Sequence, residues 1–217
     1  MSSKRVLVTR PEHDKVTNYL SNWAHEVIIY AKARGVDIVD LGSDKVKRKI
    51  FEEYMSSINP RLVFINGHGN RDCVCGHKDE IILQKDKNEK ILAGKIVYAL
   101  SCHSGAELGP AAIKNGNADA YIGYNAPFCF LTDKYRECTP DEDPLANVFK
   151  KASNQIPFSL IKGKSVEDAY KNSQNKFKEL IRQYGVSDSS PEAAEIRFWL
   201  FWDMSSQVVH GKNEASL

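Results

Sequence analysis

The sequence predicts an α/β protein: a three-layer αβα arrangement around a mostly parallel sheet of about six strands. Three observations lead there. The runs Leu62–Asn66, Ile96–Leu100 and Ala120–Tyr124 are apolar without polar alternation, as expected of strands buried on both faces. Segments of helical periodicity lie between them. A chain of 217 residues with 42% apolar side chains also suffices for one α/β core.

The elements follow in order. Lys4–Thr9 reads as a strand and Glu12–Ala24 as a helix, with Pro11 near its first turn. Val27–Ala33 fits either a strand or a helix end, and Val36–Asp40 is the second strand. Ser43 or Asp44 caps a helix to about Ile58, with Val46, Ile50, Phe51 and Tyr54 at helical spacing, and Asn59-Pro60 stops it. After the strand Leu62–Asn66, Ile81–Leu83 and Ile91–Leu92 flank the polar Lys85–Lys90 as a small hairpin or excursion. Ile96–Leu100 is the fourth strand, Ala106–Asn115 a helix ended by Gly116, and Ala120–Tyr124 the fifth strand. Phe128–Asp143 has no regular pattern and suits a binding or activation loop.

The last third is mainly helical. Val166, Ala169, Tyr170, Phe177, Leu180, Ile181 and Tyr184 share one face. Pro191 opens a segment whose Ile196, Phe198, Trp199, Leu200, Phe201 and Trp202 are apolar all round, so packing against the sheet is expected, with an aromatic substrate platform as the alternative. Val208–Val209 adds a final short strand. With no repeat or linker, residues 1–217 read as one domain: a sheet core over 1–125, an irregular loop over 126–143 and a helical completion over 144–217.

Thirty basic and 28 acidic residues leave a net charge of +2 and no basic stripe, which argues against a nucleic-acid partner. No apolar run approaches the roughly 20 residues that span a bilayer, and the start runs directly into a strand without a signal peptide. Five cysteines, an odd number, then suggest reduced thiols in a cytoplasmic protein.

Two strand ends carry the chemistry. Asn66-Gly67-His68-Gly69 follows one apolar run, and Ser101-Cys102-His103-Ser104-Gly105 follows another. In an open α/β sheet, ligands bind outside the carboxyl ends of the strands. A His and a Cys delivered to that edge can meet there as a nucleophile and its imidazole partner.

These paired motifs resemble the signatures of clan CD cysteine peptidases, which have the caspase–haemoglobinase fold and include caspases, gingipains, clostripain, separase and CHAT domains. The resemblance is greatest to the gingipain and CHAT side. There too a helix like Glu107–Ala112 follows the Cys, and a strand like Ala120–Tyr124 comes next. It is best over residues 60–125. The caspase Q-A-C-x-G signature is absent, and the His–Cys interval is shorter than the roughly 50 residues usual there.

The resemblance implies that Cys102 is the nucleophile, that His68 is the general acid/base, and that the amides of Gly69 and Cys102 form the oxyanion hole. It demands no third, orienting residue, and none is evident. The helix after Cys102 is expected to help hold a thiolate, so Cys102 should alkylate faster than the other thiols. In several relatives the residue two before the nucleophile lines the specificity pocket. That position is Leu100, which favours an uncharged residue before the scissile bond; if Leu100 points into the core, Asp72 or Asp119 would line the pocket instead.

Each residue has a plainer reading. Cys102 alone fits a buried structural thiol and His68 a strand-end histidine. His103 offers a competing imidazole, although neighbours in sequence generally point apart. Cys73-Val74-Cys75-Gly76-His77 has the look of metal-ligand spacing, but no second pair sits nearby, and Cys129 and Cys138 are remote; neither metal nor organic cofactor is expected. The expected partners are a peptide or protein substrate and a regulatory protein, because Phe128–Asp143, with Lys134 and Arg136 open to self-cleavage, suits a restraining loop. Two other classes remain open: a catalytically silent scaffold of this fold, and a flavodoxin-like nucleotide binder or signalling module. The second lacks a phosphate loop, since Thr9-Arg10-Pro11 stands after the first strand.

Overall fold

Every predicted central strand forms, and the parallel pairing of these strands decides where the reactive residues go. The computed structural model describes residues 4–186 and 190–217. β1 (Arg5–Arg10) leads through α1 (Lys15–Lys32), β2 (Asp37–Gly42) and α2 (Arg48–Ile58) to β3 (Leu62–Asn66). Three short strands follow, β4 (Gly69–Asn70), β5 (Cys73–Cys75) and β6 (Ile81–Gln84), and then β7 (Ile96–Leu100), α3 (Leu108–Lys114) and β8 (Ala120–Tyr124). The chain closes with α4 (Pro144–Ser153), α5 (Gln155–Ile161), α6 (Val166–Val186), α7 (Ala193–Ser206) and β9 (Gln207–Gly211).

The main sheet runs β2-β1-β3-β7-β8-β9, parallel except for β9, which pairs antiparallel with β8. Period-two alternation splits its side chains between two cores. Val8, Phe64 and Tyr98 pack with Trp23, Phe149 and Phe177 of α1, α4 and α6. Leu7, Ile65 and Val97 pack on the other face with Phe51 and Met55 of α2 and Leu108 of α3. The result is α/β, with helices flanking both faces of a mostly parallel six-stranded mixed sheet. Among the described residues, no helix is long and apolar enough to cross a membrane.

Several expected boundaries move, each for a local reason. The first helix starts at Lys15 because Asp14 caps it, accepting the Thr17 N–H at 2.8 Å while the Thr17 hydroxyl answers the Asp14 backbone. It continues through Val27, Ile28 and Ala31, which are buried in line with Leu20 and Ala24, so Val27–Ala33 is largely helix rather than strand. The second helix starts at Arg48 instead of Ser43. Val46 is drawn into the core, and the Arg48 N–H finds a distant cap in Glu80 Oε1 at 2.9 Å.

The expected hairpin of Ile81–Leu83 with Ile91–Leu92 does not form. β6 pairs instead with β5, in a three-stranded antiparallel sheet with β4. The Asn88 side chain closes the turn by bonding Gln84 N and Ile82 O, which leaves Ile91–Leu92 in a 3₁₀ turn.

The aromatic run on α7 corrects an expectation. Ile196 and Leu200 are buried, but Phe198 and Phe201 are 56% and 59% exposed, and Trp202 is also open. This helix therefore packs by one narrow face. α6 behaves as expected, with Val166, Ala169, Phe177 and Leu180 buried.

The loop from Phe128 to Asp143 is irregular but tied at both ends. Phe128 and Phe130 pack on Trp23, and the Cys129 N–H donates to Asp203 Oδ1 at 2.9 Å. At the far end the fully buried Asp143 accepts from Tyr19 Oη (2.7 Å) and from the Asp133, Leu145 and Ala146 amides. Removing that carboxylate uncaps α4, at about 1 kcal/mol, and strands the Tyr19 hydroxyl, at about 1–3 kcal/mol. Asp143→Ala should thus lose about 2–4 kcal/mol in urea denaturation; a loss below about 0.5 kcal/mol would show that the anchor is idle.

Candidate active site

The register of two parallel strands brings the predicted dyad together. Asn66 of β3 lies opposite Leu100 of β7. Two further places along each chain bring His68 and Cys102 to the same carboxyl edge of the sheet, and both line one cleft of about 560 Å³. A recess of about 20 Å³ beneath it is also bounded by both side chains.

Two glycines permit this approach. Gly67 has φ +144, and a Cβ there would collide with the Cys75 carbonyl oxygen. A Cβ on Gly69 would collide with Ser101 Oγ and lie 3.0 Å from the Cys102 carbonyl oxygen, so glycine lets the start of β4 lie against the Cys102 backbone. Cys75 N–H donates to His68 O at 2.8 Å. By the alternation of an antiparallel ladder, the next pair, Gly69–Val74, is unbonded, and the Gly69 N–H points away from β5.

A third residue, missed in the sequence, completes the group. His68 Nε2 lies 2.5 Å from Asp14 Oδ2, while Asp14 Oδ1 caps α1. Burial opposes ionisation of Asp14. The Thr17 amide and His68 overcome it and lower this carboxyl from 3.8 to about 2. Asp14 is therefore an acceptor only, and His68 must present its Nε2–H to it, leaving the Nδ1 lone pair for chemistry. The link runs through strand order: β1 pairs in parallel with β3, so residues just past Arg10 reach the same edge as His68.

Burial works against a thiolate at Cys102. Burial raises its pKa above the ordinary thiol value, while the Phe128 and Cys102 amides pull the other way. Its Sγ lies 3.9 Å from the Phe128 carbonyl oxygen, as a weak thiol donor. The expected helix dipole is missing, because 101–107 form turns and α3 begins only at Leu108. For the resting protein this favours the order opposite to the one expected from the sequence: iodoacetamide at neutral pH should modify the exposed Cys138 before Cys102. Peptide mapping by mass spectrometry reads the order, and Cys102 labelled first would contradict a protonated resting thiol.

The remaining candidates are placed as follows. Leu100 is wholly buried in the core and touches only the recess under the cleft. Asp119 sits at the opposite, amino end of β8, paired with Arg61 and Lys212, and so does not reach the cleft. Asp72 lies in the β4–β5 turn beside Gln84 and lines neither the cleft nor the recess. His103 takes a left-handed conformation (φ 58) and lines neither the cleft nor the recess. Cys73, Cys75 and His77 do not converge as metal ligands among the described residues, and burial first, then the neighbouring Cys73 and Asp79, pushes the Cys75 thiol up to about 12. The cleft walls are apolar, made by Val16, Phe128, Phe130, Leu131 and Trp199, with Lys15 and Glu195 as charged members. Behind them Asp203 is buried, and its carboxyl is raised well above the ordinary range by burial, which favours the neutral acid.

In comparisons with known proteins, no family model matches this chain. No curated protein matches it either.

Proposed function

We propose that this chain is a cysteine endopeptidase of the caspase–haemoglobinase type, acting in the cytoplasm on peptide or protein substrates. The observation that carries this reading is the β3–β7 register, which puts His68 and Cys102 in one cleft with His68 oriented by Asp14. The three groups divide the work. The Cys102 sulfur bonds to the peptide carbonyl carbon as its thiol proton passes to His68 Nδ1. The carbonyl π pair moves to oxygen, where the Gly69 and Cys102 N–H groups receive the negative charge. The tetrahedral adduct collapses, the C–N bond breaks, and His68 gives its proton to the departing amine. Water, deprotonated by the same nitrogen, then hydrolyses the thioester and restores the thiol.

The apolar walls support an uncharged, apolar residue before the scissile bond, since a buried cation there would find no partner. A second hollow of about 610 Å³ adjoins the cleft through Leu131, Thr132 and Glu195 and gives room for an extended chain.

The resting thiol and the tied loop support restraint. Phe128, whose carbonyl faces Sγ, starts the loop that Lys15 straps through Glu137 at 2.5 Å. A positional-scanning peptide library, run on the purified chain and on Glu137→Ala, tests both points. The expected result is slow turnover with apolar preference, faster in the variant. A strict preference for Arg or Asp would overturn the specificity, and a high basal rate on generic peptides would overturn the restraint.

A further inference from the structure

His68 belongs to a second cluster on the side of its ring away from the cleft chemistry. His13 sits between two other imidazoles, its centroid 5.9 Å from that of His68 and 5.6 Å from that of His77, edge-on to both. Its Nε2 lies 3.7 Å from Asp14 Oδ2 and 3.3 Å from Asp79 Oδ1. One donor atom each from His13, Asp14 and His68 falls within 4.8 Å of the others. The His13 side chain is only 10% exposed, and its Nδ1 is buried without a hydrogen-bond partner. Its Nε2 is the ring nitrogen that faces the Asp14 and Asp79 carboxylates.

We propose that His13, Asp14 and His68 bind a divalent transition-metal ion of the zinc class, and that occupancy switches off His68. Two imidazole nitrogens and a carboxylate oxygen suit Zn²⁺, whereas Mg²⁺ and Ca²⁺ favour sets of oxygens. With Zn–N and Zn–O bonds of about 2.0–2.1 Å, tetrahedral donors stand about 3.4 Å apart. The His13–Asp14 gap is already near that, and the Asp14–His68 pair has to open from 2.5 Å. Water completes the shell. Asp14 also offsets the unfavourable field of the α1 amino end on a cation.

The consequence rests on His68 being the acid/base. When Nε2 binds metal, the neutral ring moves that proton to Nδ1. The lone pair that accepts the Cys102 proton is gone, so turnover stops while the fold stays intact.

Cobalt and zinc titrations test the proposal. Cys102→Ala protein, which removes the nucleophilic thiol as a competing ligand, should bind one equivalent of Co²⁺ with the visible bands of a four-coordinate ion. Adding His13→Ala, or His13→Gln as a milder change, should abolish those bands. With wild type, Zn²⁺ should inhibit peptide turnover and a chelator restore it. His13→Gln should keep turnover yet need at least about 10-fold more Zn²⁺. Co²⁺ bands that are absent, or unchanged by either His13 variant, would overturn the site. Equal zinc inhibition of wild type and His13→Gln would overturn the switch. The cobalt arm needs no turnover, so a failure of the peptidase reading stays distinguishable from a failure of the metal site.

Discussion

Cys102→Ala should abolish peptide hydrolysis and leave the fold unchanged. In the proposed mechanism the sulfur is the group that bonds to the carbonyl carbon, and alanine leaves nothing to replace it. Cys102 is only part-buried at the edge of a cleft, so its removal opens no deep cavity. Circular dichroism and the urea midpoint should match wild type, while turnover falls to background. His68→Ala should cost about 10²–10⁴-fold, the range that a positioned acid/base contributes. Residual activity above that in either variant would remove the dyad from the chemistry.

Asp14→Asn should give the next largest loss, about 10²-fold in kcat with little change in KM. Asparagine is as good an N-cap as aspartate, so α1 keeps its start and the change acts on His68. The amide cannot reproduce a full negative charge beside the imidazolium that forms during the reaction. The pH dependence separates the two roles. The Asp14 carboxyl is lowered from 3.8 to about 2, so it stays ionised wherever His68 can act as a base. Because its folded value is depressed, the stability it contributes is present above about pH 4 and lost as pH falls through about 2. Asp14→Asn should flatten acid unfolding in that window while lowering kcat across the whole profile. An unchanged kcat profile would make Asp14 a cap and nothing more.

The sheet was legible because strands buried on both faces leave continuous apolar runs, as at Val63–Ile65 and Ile96–Leu100. The meeting of His68 and Cys102 followed from the rule that such strands run parallel and expose their carboxyl ends together. Asp14 escaped because its signal depends on strand order: only the β1–β3 pairing puts it beside His68. The state of Cys102 escaped for a similar reason, since its proton is held by burial, which depends on how distant segments pack around it. Asp119 looked eligible by charge, but its place before β8 sends it to the wrong end of the sheet. The exposed aromatics of α7 show a limit of periodicity: a helix apolar all round does not say which side lacks a neighbour.

The central claim is that Cys102 is a nucleophile driven by His68, and affinity labelling addresses it most directly. The purified chain is incubated with a peptidyl acyloxymethyl ketone carrying an apolar residue next to the reactive group, and the adduct is mapped across the five cysteines. The expected result is modification at Cys102, with the rate collapsing in His68→Ala although Cys102 is still present. Modification confined to the exposed Cys138, or labelling of Cys102 at the same rate without His68, would contradict it.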